Sequence, residues 1–453
     1  MNEKNILGHE SIFKLIIKFS VPAIVGMVVN SLYNFVDRLF IGNSSDLGTE
    51  GLAGITVSFP IMIILMSVGI LFGVGGATLF SLKLGENKPE VAKKALANSL
   101  TMMIITSLIL MIIGNLFLKP ILIFFGASKV SLPYASDYMR IIFLGSIFLV
   151  ISMGMNNFIR ADGSPKIAMF TMFIGAGSNI ILDPIFIYVF RMGMAGAALA
   201  TIIAQFISAF WVLYYFIYGS GKIKLKLELM KPQLKLIIPI FLLGLPGFAL
   251  QLANSLLNTI LNKSLFKYGG DIAVSGMGII NSIKTLLIMP VIGLKQGVLP
   301  IISYNYGAKK YERTINCIYQ AIIISSSFVI FGYIITRLFP EQLILMFNKD
   351  AELVKFGKSA VKAMFMFMPV VGFQIIASSY FQAIGKSNTA LFLTLTRQVI
   401  LLIPALIIFP IFFELDGLIY ATPFSDLFSA IITGIWFVFA IRKLKKEIKK
   451  IPL

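Results

Sequence analysis

Runs of about twenty or more mostly apolar residues, the length an α-helix needs to cross a bilayer core, recur along the whole chain. They predict helices near 13–41, 52–82, 92–118, 134–159, 167–190 and 193–218, and then near 236–266, 271–303, 314–338, 358–384, 388–411 and 415–441. Between the two sets lies a polar stretch, Tyr218 to Pro232, rich in lysine, which reads as a linker. The pattern predicts an all-α integral membrane protein with twelve transmembrane helices in two six-helix pseudo-symmetric lobes around a central cavity. The expected division is an N-terminal lobe at 1–220, a cytoplasmic linker at 221–235, and a C-terminal lobe at 236–453 that ends in a basic cytoplasmic tail.

An internal repeat supports the division. Pro22 and Asn30-Ser-Leu-Tyr-Asn34 recur as Pro246 and Asn254-Ser-Leu-Leu-Asn258, and Ser81-Leu-Lys-Leu-Gly85 recurs as Ser303-Tyr-Asn-Tyr-Gly307. Ala161-Asp-Gly163 matches Ala383-Ile-Gly385, and Leu182-Asp-Pro184 matches Leu402-Ile-Pro404. Six helices per repeat is an even number, so both halves share one orientation, an architecture used by transporters. Lys and Arg crowd alternate connections (Lys83 to Lys94, Arg160 and Lys166, Lys222 to Lys235, Lys309 to Arg313, and the tail from Arg442), whereas Asp46, Glu50, Glu341, Asp350 and Glu352 fall in the others. By the positive-inside rule both termini are cytoplasmic. No cleavage site follows the first helix, so it is expected to be retained.

Against this apolar background a few polar residues stand out, because an ionisable group in hydrocarbon is costly and seldom lacks a partner or a task. Asn30, Asn34 and Asp37 form one stripe of the first helix, and Asn179 and Asp183 lie one turn apart on the fifth. At about 1.5 Å per residue from the outer ends, Asp37 is some 6 Å deep, Asp183 about 10 Å and Thr201 about 12 Å. Two carboxylates, an amide and a hydroxyl at one level make an oxygen cage for a cation. The carboxylates cannot both ionise easily side by side in low dielectric, so the cage takes a proton or holds Na+. The alternatives are that Asp37 pairs with Arg38 or sits at the interface, and that Asp183 caps a kink at Pro184. The repeat bears on this: Leu261 stands where Asp37 would recur and Ile403 where Asp183 would, so the scaffold itself does not require either acid.

Pro22 removes a hydrogen bond inside the first helix and is a candidate hinge, a static kink being the alternative. Lys284, Lys295 and Arg397 are further intramembrane charges, with Asp426 a candidate partner for one of them; they either pair and snorkel or serve directly. Met364-Phe-Met-Phe-Met368-Pro369 is read as opening the tenth helix, where it packs or lines an adaptable apolar pocket. Gly73-Val-Gly-Gly76 lacks the Lys-Ser/Thr of a phosphate loop and reads as close helix contact.

Composition then narrows the function classes. The chain of 453 residues is 58% hydrophobic and 13% charged, with net charge +19. That charge is spread over short loops and a tail, a pattern that suits anionic lipid and not nucleic acid. One cysteine, Cys317, excludes an intrachain disulfide, and the single histidine, His9, precedes the first helix, so a histidine-ligated metal or proton relay is not expected. Dispersed acids and a peripheral histidine argue against an intramembrane transferase. A lipid-linked oligosaccharide flippase of the same two-lobed shape remains an alternative, with Lys284, Lys295 and Arg397 as its candidate cations for pyrophosphate.

Residues Leu32-Tyr-Asn-Phe-Val-Asp37-Arg-Leu-Phe-Ile-Gly42, Asn179-Ile-Ile-Leu-Asp183-Pro-Ile-Phe-Ile187 and Gly193-Met-Ala-Gly196-Ala-Ala-Leu-Ala-Thr201 resemble the multidrug and toxic compound extrusion (MATE) transporters, nearest their DinF/MepA-like branch. The resemblance runs through essentially the whole chain. It implies a secondary antiporter in the bacterial cell membrane, not an enzyme. Such an antiporter expels small organic, often cationic compounds in exchange for H+ or Na+; no cofactor beyond the ion and a monomer are expected. It also implies a cation site at Asp37, Asn179, Asp183 and Thr201, and a bend of the first helix when that site is loaded. Asn30, Asn34, Gln251, Asn254, Met289, Gln374 and Arg397 are the candidate substrate-cavity residues. The NorM-like branch has acids in its seventh and tenth helices; this chain has Gln251, Asn254, Asn258, Gln374 and Gln382 there and no carboxylate well inside, which favours the N-terminal lobe as the cation site.

Overall fold

The computed structural model describes residues 5–42, 44, 47–347 and 350–449, except for the side chains at 34, 35, 38, 39, 42, 49, 259, 262, 263 and 271. Asp46 and the side chains of Asn34 and Arg38 therefore lie outside the described residues. The described residues are almost entirely helical and contain no strand. The reason is solvation: a segment in hydrocarbon must satisfy its own backbone hydrogen bonds.

Among the described residues nine helices are long and apolar enough to span a bilayer, and two bent pairs qualify as one span each. One of the nine, Ser387–Ile448, is 62 residues long. That is about 90 Å of helix against about 30 Å of hydrocarbon. Its backbone leaves the helical region at Glu414 (φ 47, ψ −126), which divides it into two spans and brings the total to twelve. In chain order they are α1 (Ile12–Gly42), α2 (Gly48–Gly85), α3 (Pro89–Leu116), α4 (Ser131–Leu144 with Ser146–Ala161), α5 (Pro165–Pro184) and α6 (Gly193–Ile217). The second set is α7 and α8 (Leu234–Gly307, divided at Gly270), α9 (Tyr311–Leu338), α10 (Ala351–Met364 with Met368–Ala383), and α11 and α12 (Ser387–Ile448, divided at Glu414). Gly270 has φ 61 and ψ −158, a conformation open to glycine and very costly for other residues.

Several expected helices are not uniform. The spans expected at 134–159 and 358–384 are each two helices, bent by 59° at Gly145 and by 50° between Met364 and Met368. Ile202 of α6 packs directly on Gly145 and leaves no room there for a Cβ. The Met364–Met368 run, expected to open the tenth helix, instead forms its bend. Pro369 follows in the first turn of the second piece, where its missing N–H has no intrahelical partner to lose. α5 passes into a π-helical turn at Ile185–Val189 directly after Pro184, and α11 contains one at Thr396–Leu402 just ahead of Pro404. Pro22 lies inside the continuous α1. The lysine-rich stretch after α6 is docked on the first lobe: the Lys222 N–H donates to Asp162 Oδ2 (2.8 Å), Thr101 Oγ1 donates to the Met230 carbonyl (2.8 Å), and the Gln233 N–H donates to Asn98 Oδ1 (2.7 Å).

Two buried apolar cores are present, and they exchange helix ends. One gathers side chains from Ile41 to Ile223 together with Ile240 and Leu243 of α7. The other gathers Leu265 to Leu444 together with Leu7, Ile12, Leu15, Ile16 and Phe19 from the start of the chain. Glycines make the exchange possible. Gly75 of α2 meets the Ile240 carbonyl and Gly244 of α7, while Gly297 of α8 meets Ser20 of α1, which are equivalent contacts under the repeat. Nearer the basic loops the symmetry is closer still: Gly85 meets the Tyr304 carbonyl, and Gly307 meets that of Leu82. Asn305 Nδ2 and Lys310 Nζ donate to the carbonyls of Leu7 and Gly8 (both 2.9 Å), and Arg313 Nη2 donates to that of Glu10 (2.6 Å). The lobes are closed together at this basic face. In the first half of α8, Asn281, Ser282 and Thr285 are exposed polar residues.

Gly85→Val or Gly307→Val should favour lobes parted at the basic face by about 5- to 150-fold, the equivalent of the roughly 1–3 kcal/mol that overpacking costs. Leu82→Cys in a Cys317→Ser background, labelled with a membrane-impermeant maleimide from that face, reads the shift; unchanged labelling would refute the closure.

Candidate cation site

α5 carries the centre of the site. Asn179 and Asp183, one turn apart, face inward and are 1% and 0% exposed. Asn179 Nδ2 donates to Asp183 Oδ1 (3.2 Å) and, at 3.4 Å, to Thr201 Oγ1 of α6. α6 can approach so closely because Gly196-Ala-Ala-Leu-Ala precedes Thr201, and small residues let membrane helices pack backbone to backbone. α1 brings Asp37 against Asp183. The C-terminal ends of these two helices are fastened together, with Tyr188 Oη donating to the Phe40 carbonyl (2.7 Å) and the two rings edge to face. The four residues that the sequence suggests for the cage therefore lie together. Asp183 Oδ2 and Asn179 Oδ1 are buried acceptors that no donor among the described residues reaches.

Sequence reasoning missed two members. Tyr33 lies one turn before Asp37 on the same face of α1 and is buried beside both acids. Tyr138, from the first piece of α4, reaches the same cluster, with its hydroxyl at Thr201 and 3.6 Å from Met62 Sδ. The i, i+4 spacing of Tyr33 and Asp37 was available in the sequence. Tyr138 had no such signal, since the bend at Gly145 aims it.

The residues considered for a substrate cavity are distributed over both lobes. Gln374 is buried and donates to the Leu393 carbonyl at 3.5 Å, inside the second lobe. Asn254 Oδ1 accepts from Gln398 Nε2 (2.9 Å), and Met289 Sδ accepts from Ser31 Oγ of α1 (3.0 Å) across the lobe boundary. Asn30 and Gln251 are half-buried, and the side chain of Asn34 lies outside the described residues. Arg397 sits in the π-helical turn of α11, and its Nε donates to Asp426 Oδ1 at 2.7 Å, which makes Asp426 the partner of Arg397. Lys284 lines a recess beside this pair, and Lys295 does not line it.

The MatE family profile matches residues 22–185 and 246–407, one copy in each half of the repeat. The chain belongs to the MatE family. It is 29% identical over 422 residues to the multidrug export protein MepA of Staphylococcus aureus, covering 93% of this chain and 92% of that protein. The solved structure of the MATE multidrug transporter DinF-BH is 38% identical with a TM-score of 0.88, covering 94% of this chain and 95% of the other. An outward-facing multidrug resistance MATE transporter of the MOP superfamily superposes with a TM-score of 0.91 at 25% identity, covering 98% and 99%. These MATE structures share the two-lobed arrangement of helices described above.

The Arg397–Asp426 pair gives this MatE protein a measurable test. Asp426→Asn strands a buried guanidinium and should cost about 3–5 kcal/mol, whereas Arg397→Met/Asp426→Leu should recover most of that loss. Thermal unfolding in detergent compares the two; equal destabilisation by both would contradict the pairing.

Proposed function

We propose that this protein is a secondary active multidrug efflux transporter that exports amphipathic, often cationic compounds by antiport with H+ or Na+. The supporting observation is Asp183: a carboxyl with no exposed surface, against a second carboxyl, and without a basic partner among the described residues. Burying ionised carboxyls side by side costs many kcal/mol unless a cation joins them. A proton meets that requirement. So does Na+, a hard cation for which two carboxylates, the Asn179 carbonyl oxygen and the Thr201 hydroxyl are suitable donors.

The cycle follows from that chemistry. With the lobes closed at the basic face, which the positive-inside rule assigns to the cytoplasm, the cleft faces outward and the acids load a cation. Loading neutralises the N-terminal lobe and weakens its hold on a cationic drug, which leaves. Opening at the glycine contacts then exposes the cleft inward, where a drug displaces the cation. Pro22, in the helix that carries Asp37, is the proposed point at which α1 bends. On this reading both termini are cytoplasmic, the membrane is that of a bacterial cell, the protein works as a monomer, and no cofactor is needed beyond the ion.

Everted vesicles containing the protein should accumulate a cationic dye when an H+ or Na+ gradient directed out of the lumen is imposed separately, the effective gradient naming the ion. Asp183→Asn keeps the acceptor for Asn179 but removes the charge, and should reduce gradient-driven uptake to the level of empty vesicles. Coupled uptake surviving in Asp37→Asn/Asp183→Asn would sink the assignment.

A further inference from the structure

A row of polar residues leads from the cation site through the interior of the first lobe toward its basic face. Thr201 of α6 belongs to the site, and Gln205 follows it by one turn. Gln205 Oε1 accepts from Ser152 Oγ of α4 at 2.6 Å. On α4, Ser152, Asn156 and Arg160 follow one another at one-turn spacing and so share a face. Asn156 Nδ2 donates to the Ala168 carbonyl of α5 (2.8 Å), which sets this face against α5 as well as α6. Ser152, Asn156 and Arg160 are all buried, and Asn156 Oδ1 meets no donor among the described residues.

The row ends in a charge. By position Arg160 counts with the cations of the loops, yet it is only 4% exposed. Its guanidinium reaches back along α4, where Nη2 donates to Asn157 Oδ1 (3.1 Å), and the buried Nη1 has no partner among the described residues. The acid two residues on does not answer it: Asp162 accepts from Tyr215 Oη (2.7 Å) and the Lys222 N–H (2.8 Å) instead. A cation in the last turn of a helix gains from the dipole, but that gain is available at the surface and does not require burial. Nor does the fold require the charge. In the second lobe Gln374, Ser378 and Gln382 stand at the positions of Ser152, Asn156 and Arg160, so that row is polar as well but neutral at its end. Gln382 Nε2 donates to the Leu243 carbonyl (2.7 Å). The charge at the end of the row belongs to the lobe that has the paired acids.

We propose that Arg160 is an electrostatic barrier: its charge stops the ion loaded at Asp37 and Asp183 from leaking along the polar row to the cytoplasm, so the ion crosses only when the lobes rock. Buried polar atoms without a protein partner are the ones that water joins, and a hydrated polar row passes a proton or a small cation. A fixed guanidinium repels either, as arginines do in pores that exclude cations. For a cation one helical turn away, about 6 Å, at an effective dielectric of about 20, the repulsion slows passage about 100-fold. The inference rests on the antiport reading and deepens it, because an exchanger that leaks dissipates the gradient that drives it.

Proteoliposomes of the full-length protein test this without any drug. Under a potassium-diffusion potential set with valinomycin, negative inside, wild-type vesicles should admit H+, read by trapped pyranine, and radioactive Na+ no faster than protein-free vesicles. Arg160→Gln, the side chain that the second lobe has at this position, should raise entry of the coupling ion about 10- to 100-fold over wild type. Arg160→Met, neutral and of similar length, should do the same, and gives the reading if the glutamine variant fails to fold. Arg160→Lys should stay tight. Asp183→Asn added to Arg160→Gln should close the leak, because the leak begins at the acids. The same vesicles are then assayed for exchange of a cationic dye against the ion. Neutral variants that remain tight while the wild type exchanges would overturn the barrier and leave antiport standing, and a leak that survives Asp183→Asn would overturn it equally. Absence of exchange by the wild type would overturn antiport, and this inference with it.

Discussion

Hydrocarbon offers a backbone no hydrogen-bonding partner, and most of this structure follows from that constraint. It makes every spanning segment a helix and confines departures from the helix to places enclosed by protein or reached by water. The departures here are few, and two of them flank polar sites. A π-helical turn follows directly after Asp183-Pro184, and another contains Arg397 just before Pro404. Such turns absorb a proline's lost N–H and its clash with the preceding turn while changing the direction in which nearby side chains point. The same prolines occur at matching positions of the repeat, with the π-helical turn after the proline in the first lobe and before it in the second, and each lobe puts a different charge nearby.

Closure between the lobes depends on a second consequence of the solvent. Helices in lipid gain little from burying apolar surface against each other, so tight packing at small residues has to hold them. Gly75 with Gly297 and Gly85 with Gly307 provide that packing as symmetric pairs, and Gly244 lies against α2, which lets each lobe take the start of the other's first helix into its core. An interface of backbone against backbone is compact but makes few directional bonds. The side-chain clasps from Asn305, Lys310 and Arg313 onto the first residues of the chain are confined to the basic end. A seam of this kind can open without stranding many buried polar groups.

Much of the site was legible in the sequence. Asp37, Asn179, Asp183 and Thr201 were identifiable because acids and amides are rare in apolar runs, and rarity in hydrocarbon reflects a real free-energy cost. Tyr33 was within reach of the same reasoning and was missed because a tyrosine in a membrane helix looks ordinary. The contacts of the candidate substrate-cavity residues were less legible. Gln374, Asn254 and Met289 are polar or soft residues at plausible depths, yet each is engaged in a contact that depends on which neighbouring helix it meets. The Met364–Met368 run reads as the start of a helix because apolar residues at a bend keep the same composition as those on either side.

The sequence by itself determined the solvent, the number of the helices, the repeat, and the residues too costly to be incidental, because each of these is encoded in local composition and spacing. Only the tertiary structure decided which partners those residues have. Asp183 lies against Asp37 with the ends of α5 and α1 fastened together, and Arg397, carried in a π-helical turn of α11, reaches Asp426 of α12. Pairing between helices far apart in sequence depends on crossing points and rotations, and a one-dimensional pattern of apolar residues constrains those only weakly.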